Sequence, residues 1–153
     1  MLAALPVGGQ IRTNPLIVDR MPYLAGIVLA LTVSVGATLV GFDRHRAFYP
    51  TVLVVIASYY VLFAVIGGSS HALVVETLVM AGFLLVAAVG FRGNLWLVVA
   101  ALAAHGIFDL LHPLVVANPG VPAWWPAFCL TYDITAAAFL AWLLLRRADG
   151  RTE

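Results

Sequence analysis

Five long runs of apolar residues dominate this 153-residue sequence and limit what it can fold into. Hydrophobic residues make up 63% of the chain and charged residues 10%, and a soluble protein of this size cannot bury so much apolar surface. A helix needs about 20 apolar residues to cross the hydrocarbon core of a bilayer. The predicted membrane spans are Tyr23 to Gly41, Phe48 to Gly67, His71 to Phe91, Leu95 to His112 and Trp124 to Leu145.

The apolar runs lack the alternation of strands, and only helices or closed barrels satisfy their backbone groups in lipid. The sequence therefore predicts an all-α fold, a polytopic membrane bundle of about five transmembrane helices. Residues 22–146 are predicted to form a single transmembrane domain, with a loose N-terminal extension at 1–21 and a cytoplasmic tail at 147–153. Met21 directly precedes the first span, so a start at Met21 is a further hypothesis.

The arginines set the expected orientation, because cytoplasmic loops are enriched in basic residues. With five spans, six of the eight fall on one side of the membrane: Arg44, Arg46, Arg92, Arg146, Arg147 and Arg151. This distribution predicts an extracytoplasmic N-terminus and a cytoplasmic C-terminus in a bacterial inner (plasma) membrane.

The same arginines form no stripe or cluster, which argues against nucleic acid as a partner and leaves the lipid bilayer as the expected one. The single cysteine, Cys129, lies within an apolar span, where a buried and inert thiol is expected.

Five ionisable residues lie inside the predicted spans: Glu76, His105, Asp109, His112 and Asp133. Charged groups in the bilayer interior are costly and usually face a pathway or a site. His105, Asp109 and His112 follow the i, i+4, i+7 spacing of one helix face, and helical rise places the set in the outer half of the membrane. We therefore expect a shared interior pocket near the outer face.

Three carboxylates and two imidazoles in a low dielectric require bound protons or cations. All five residues are predicted metal ligands, and Zn, Fe or Mn is the expected divalent metal because these ions accept mixed imidazole and carboxylate ligands. One histidine with Asp109, plus Glu76 or Asp133, is the preferred set. A metal-dependent membrane hydrolase would use Glu76, His105, Asp109 and Asp133 as catalytic residues on a lipid-like substrate.

Aromatic residues are the predicted contacts for that substrate. Tyr59 and Tyr60 lie in the same layer as the ionisable set, and Trp124 and Trp125 belong to a stiff loop from Asn118 to Pro126. This loop is interpreted either as an interfacial anchor or as a lid over the pocket, with the tryptophans gripping a lipid-like ligand.

Other functions stay open. A proton- or cation-handling transporter, or a subunit of one, would use the same residues as a relay. Five spans do not divide into two equal repeats, although a homo-oligomer avoids that objection. In a structural protein, Glu76 and Asp133 would be protonated packing acids, His105 and Asp109 a pair that locks helices, and His112 an interfacial residue.

Two segments carry a family resemblance: His105-Gly-Ile-Phe-Asp109-Leu-Leu-His112, and Gly120-Val-Pro-Ala-Trp-Trp-Pro-Ala-Phe-Cys-Leu-Thr-Tyr-Asp133. Together with Arg46-Ala-Phe-Tyr-Pro50 and Ala57-Ser-Tyr-Tyr60, they resemble a family of small bacterial multi-pass membrane proteins of no established activity. The resemblance implies the fold alone. The chain is also distantly similar in type to the alkaline-ceramidase-like membrane hydrolases, which hold zinc with intramembrane His and Asp. It has five predicted spans where they have seven, and it lacks their His-x-x-x-His pair.

Overall fold

A computed structural model describes residues 15–149 of the chain. Within this range the protein is helical and contains no strand, which confirms the predicted all-α class. The five helices are α1 (Pro15–Val40), α2 (Phe48–Ile66), α3 (Ser70–Arg92), α4 (Trp96–Val115) and α5 (Trp125–Asp149), and a short 3-10 turn at Phe42–Arg44 follows α1. Each helix is long and apolar enough to cross a membrane, so the protein is a multi-pass membrane protein.

Some helices extend beyond their predicted bounds. α1 begins at Pro15, inside the segment predicted as a loose extension, and residues 1–14 lie outside the described residues. α4 continues past His112 to Val115 because Pro113, close to the helix end, removes only one helical hydrogen bond. The amide of Val116 then closes the helix by donating to the carbonyl of His112 at 2.9 Å.

The bundle exposes apolar side chains and buries polar ones. Leu39 and Leu114 are 82% and 83% exposed, as expected for side chains that face lipid. All five predicted intramembrane ionisable residues are buried, each with 2% or less of its surface exposed. The polar groups therefore lie between helices.

α4 lies near the centre of the bundle, with α5 on one side and α3 and α2 on the other, whereas α1 packs chiefly against α5. Glycines allow close helix contacts. A methyl group at Gly90 of α3 would lie 2.6 Å from a side-chain carbon of Val98 in α4. A methyl group at Gly106 of α4 would lie 3.2 Å from the Asp133 Cβ of α5. These contacts fix the positions of the ionisable residues on α4 and α5.

Arginines join the helix ends at one end of the bundle. Arg46 donates hydrogen bonds to the carbonyls of Phe91 at 3.1 Å and Gly93 at 2.6 Å, where α3 ends. Arg147 of α5 pairs with the carboxylate of Asp43 at 3.3 Å. The first loop, the third loop and the end of α5 therefore meet at one end, as the orientation argument assumes.

Candidate metal centre

Three of the predicted ligands meet where α4 crosses α5. Nδ1 of His105 lies 2.7 Å from Oδ2 of Asp133 and 3.3 Å from Oδ2 of Asp109. One donor atom from each residue lies within 4.8 Å of the other two. His105 is 1% exposed and both aspartates are completely buried. We call these three residues the centre.

Small residues allow the centre to form. His105 and Asp109 are one turn apart on α4 and therefore share a face. Gly106 leaves room for the backbone of α5, since a methyl group there would also lie 3.2 Å from the carbonyl oxygen of Leu130. Ala136 and Ala137, next to Asp133 on α5, are buried as well. Small residues therefore line the face of α5 that carries Asp133.

Most carboxylate oxygens of the centre lack hydrogen-bond partners in the described part of the chain. Among residues 15–149, neither oxygen of Asp109 and only one oxygen of Asp133 has a hydrogen-bond partner. Nδ1 of His105 carries at most one hydrogen, and this hydrogen is used in the shorter contact, to Oδ2 of Asp133. Burying a carboxylate without donors costs several kcal/mol. A proton or a cation is therefore needed to balance the charge.

The spacing of the donor atoms suits a cation. Transition-metal ligands lie about 2.0–2.2 Å from the ion, so neighbouring ligands are about 3 Å apart. The two contacts of His105 Nδ1, at 2.7 and 3.3 Å, lie on either side of that separation. These three residues could therefore hold a metal ion.

Glu76 and His112, the other two predicted ligands, form a separate pair. Nε2 of His112 lies 2.6 Å from Oε1 of Glu76. The side-chain amide of Asn118 donates to the same oxygen at 3.0 Å and to the backbone carbonyl of Tyr60 at 3.0 Å. His112 is 2% exposed, so it is a buried partner of Glu76 and not an exposed residue at a helix end. We call Glu76 and His112 the pair.

Tyr60 of α2 separates the centre from the pair. Its ring stacks on the imidazole of His112, with centroids 4.1 Å apart and an interplanar angle of 22°. Its hydroxyl lies beside Asp109 but forms no hydrogen bond within the described part of the chain. The sequence predicted a single shared pocket. The structure instead contains two buried groups, one on each side of Tyr60.

The other predicted substrate contacts occupy different environments. Tyr59 is 38% exposed and its ring lies 5.0 Å from that of Trp125, which is buried. Both line an apolar groove of about 670 Å³ between α1, α2 and α5, whose wall also includes Cys129 and Tyr132. Trp124 is 50% exposed and does not line this groove.

The loop between α4 and α5 covers the pair. A second groove, of about 620 Å³, lies beneath this loop and is lined by His112, Asn118 and several prolines. Gly120 sits directly against the carbonyl of Phe63 and the amide of Gly67, at the end of α2, where no side chain would fit. This loop therefore holds Asn118 over the pair.

Asn118 is the residue that sequence reasoning missed. It was predicted as the start of a stiff loop, while the structure shows its amide joined to both α2 and Glu76. The available signal was a polar amide six residues after His112, just outside an apolar span and followed by a proline.

No protein-family model, curated protein or solved structure matches the chain. The family resemblance described for the sequence stays a prediction.

Proposed function

We propose that this protein binds one divalent transition-metal ion in the membrane interior through His105, Asp109 and Asp133. The observation that supports this most is the set of three completely buried carboxylate oxygens that lack hydrogen-bond partners within residues 15–149, next to an imidazole nitrogen. A bound dication would balance the two aspartates. One imidazole and two carboxylates form a donor set that suits Zn²⁺, Fe²⁺ or Mn²⁺.

Three protein ligands leave a coordination position open, as in catalytic metal sites. A metal held in this way supplies Lewis-acid chemistry, which would act on a carbonyl or similar group of an apolar, lipid-like substrate. The apolar groove supports this extension, because Cys129 lines the groove and lies one helical turn from Asp133 on α5. Tyr59 and Trp125, at one end of the groove, would contact the substrate.

Elemental analysis of the protein purified in detergent tests the proposal. The wild-type protein is expected to carry about one transition-metal ion per chain, and Asp109→Ala is expected to carry none. Asp43→Asn is the matched control, because Asp43 is also buried but pairs with Arg147 at the other end of the bundle. A metal-free wild type, or unchanged metal in Asp109→Ala, would overturn the proposal.

Proton or cation transfer is a second candidate function. It is supported by the alignment of two buried histidine–carboxylate groups along one face of α4, with Tyr60 between them. Buried ionisable groups in membrane helices often form such relays. Proton or ion flux into proteoliposomes that is abolished by Asp133→Asn would favour this function. Metal binding without flux would reject it.

A purely structural role predicts a different set of results. In that case the polar residues join helices, and the protein would show neither metal nor flux. Asp133→Asn and Glu76→Gln would then lower the melting temperature and change nothing else.

We further propose that the arginine-rich end of the bundle faces the cytoplasm of a bacterial cell and that the loop over the pair faces outward. Arg44, Arg46 and Arg92 near the loops, with Arg146 and Arg147 on α5, support this orientation. Labelling of single cysteines introduced at His71 and Arg92, in a Cys129→Ala background, by a membrane-impermeant reagent on intact cells tests it. If only the cysteine at position 92 were labelled, the protein would have the opposite orientation to the one proposed.

A further inference from the structure

The centre needs a route by which an ion can reach it, because its three residues are 0–1% exposed. The apolar groove that includes Cys129 presents very little polar surface, so a hydrated ion is not expected to enter through it. On the other side, His112 lines the groove beneath the α4–α5 loop and lies on the same face of α4 as His105 and Asp109. The polar route between the centre and a surface groove therefore passes through the pair.

We infer that the pair, Glu76 and His112, is a loading site that first binds the divalent cation and then delivers it to the centre. This inference rests on the proposed metal-binding function and adds a second, transient cation site to it. Glu76 would supply the negative charge and His112 a nitrogen ligand.

The hydrogen bonding of Glu76 supports a transient site. Its Oε2 is buried and has no hydrogen-bond partner in the described part of the chain, so one oxygen is available to a cation. Its Oε1 already accepts from Asn118 at 3.0 Å and contacts His112 at 2.6 Å. A cation must break these contacts to gain more ligands, so it would be held less firmly than at the centre.

The distance between the two histidines requires the ion to move. His105 and His112 are seven residues apart on α4, which is about 10 Å along the helix axis. One ion cannot bind both. Tyr60 lies between them, and its hydroxyl, beside Asp109, offers an oxygen on the path from the pair to the centre.

The loop controls access to the pair. Asn118 bridges Glu76 and the backbone of α2, and Gly120 is seated against Phe63 and Gly67. Removing the Asn118 amide would leave the loop attached through Gly120, while Oε1 of Glu76 would keep only its contact with His112. Loading should then become faster, while the centre keeps all its ligands.

Cobalt loading kinetics test the inference. Metal-free protein in detergent is mixed with Co²⁺, and the visible absorption of the bound ion reports both rate and stoichiometry. Glu76→Gln is expected to bind the wild-type amount of cobalt but to load about tenfold or more slowly, because the attracting charge is lost. Asn118→Ala is expected to load severalfold faster. The control is His71→Gln, an exposed histidine at the start of α3, which should load at the wild-type rate.

Each of the other outcomes contradicts either the loading site alone or the loading site together with the proposed centre. Equal loading rates in wild type and Glu76→Gln overturn the loading site while leaving the proposed centre intact. Loss of cobalt at equilibrium in Glu76→Gln also overturns it, because Glu76 would then be a permanent ligand. Wild-type protein that binds no cobalt overturns the proposed function and the loading site together. If Glu76→Gln does not fold, unchanged loading in Asn118→Ala overturns the inference.

Discussion

The centre and the pair each join a histidine of α4 to a carboxylate of a neighbouring helix, yet their hydrogen bonding differs. At the pair, Oε1 of Glu76 accepts a hydrogen bond from the side-chain amide of Asn118 and also contacts His112. At the centre, two aspartates share one imidazole nitrogen, and three of their four oxygens lack partners within residues 15–149. Burial of carboxylates is therefore not what distinguishes a candidate metal site in this bundle. The supply of hydrogen-bond donors distinguishes it.

The largest expected effect is stabilisation by metal, which should depend on the centre alone. A ligand at 1,000 times its Kd stabilises the folded state by about 4 kcal/mol. Saturating Zn²⁺ should therefore raise the melting temperature of wild type and of Glu76→Gln, but not of Asp133→Asn. Thermal unfolding in detergent, with and without EDTA, measures this. If Zn²⁺ still raised the melting temperature of Asp133→Asn, the distinction between the centre and the pair would be wrong.

Apolar substitutions should act in opposite directions in metal-free protein. Glu76→Leu leaves His112 and Asn118 without their partner and is expected to cost about 3 kcal/mol. Asp109→Leu removes a carboxylate that has no donor among the described residues, so stability should stay the same or rise by about 1 kcal/mol. Denaturant unfolding with EDTA present measures both variants. Equal destabilisation would show that Asp109 has a partner in the folded protein.

A smaller effect is expected from moving the two helices of the centre apart. In Gly106→Ala the new methyl group would lie 3.2 Å from Asp133 Cβ and from the carbonyl of Leu130, so α5 must shift by a few tenths of an ångström. We expect zinc affinity to fall about tenfold, because metal-site mutations of this indirect kind cost 10–100-fold. Competition with a chromophoric chelator measures it. Gly82→Ala, where a methyl group meets no atom within 4 Å, is the control and should bind zinc normally.

The smallest effect is expected at Tyr60, between the two groups. Tyr60→Phe removes a hydroxyl without a hydrogen-bond partner in the described residues and keeps the ring on His112. Stability should therefore change by less than about 0.5 kcal/mol, and the zinc content should match wild type. A loss of bound metal on elemental analysis would instead place this hydroxyl among the ligands.

The sequence predicted the fold and the burial of the polar set because both depend on local patterns. Five apolar runs of helical length gave five helices, with α2 matching Phe48 to Gly67 within one residue. The i, i+4, i+7 spacing placed His105, Asp109 and His112 on one buried face. Such periodicity is a property of each helix and needs no knowledge of its neighbours.

The division into two groups could not be predicted in the same way. It depends on which residue of another helix stands opposite each position of α4, with Asp133 opposite His105 and Glu76 opposite His112. Helix depth alone placed all five residues in one layer, because rise along an axis carries no information on the order of helices around the bundle. The amide of Asn118 comes from a loop, whose path follows no periodic rule.

The packing of α1 has its own consequence. α1 rests chiefly on α5, where Gly26 fits against Phe128 and Thr131 donates to the carbonyl of Tyr23. Every side chain of the centre and the pair belongs to α3, α4 or α5, and Tyr60 between them belongs to α2. α1 thus contributes no donor atom to either group and supports α5 from the outside of the bundle. Its sequence can therefore change during evolution without altering a donor atom, provided that its contacts with α5 are kept.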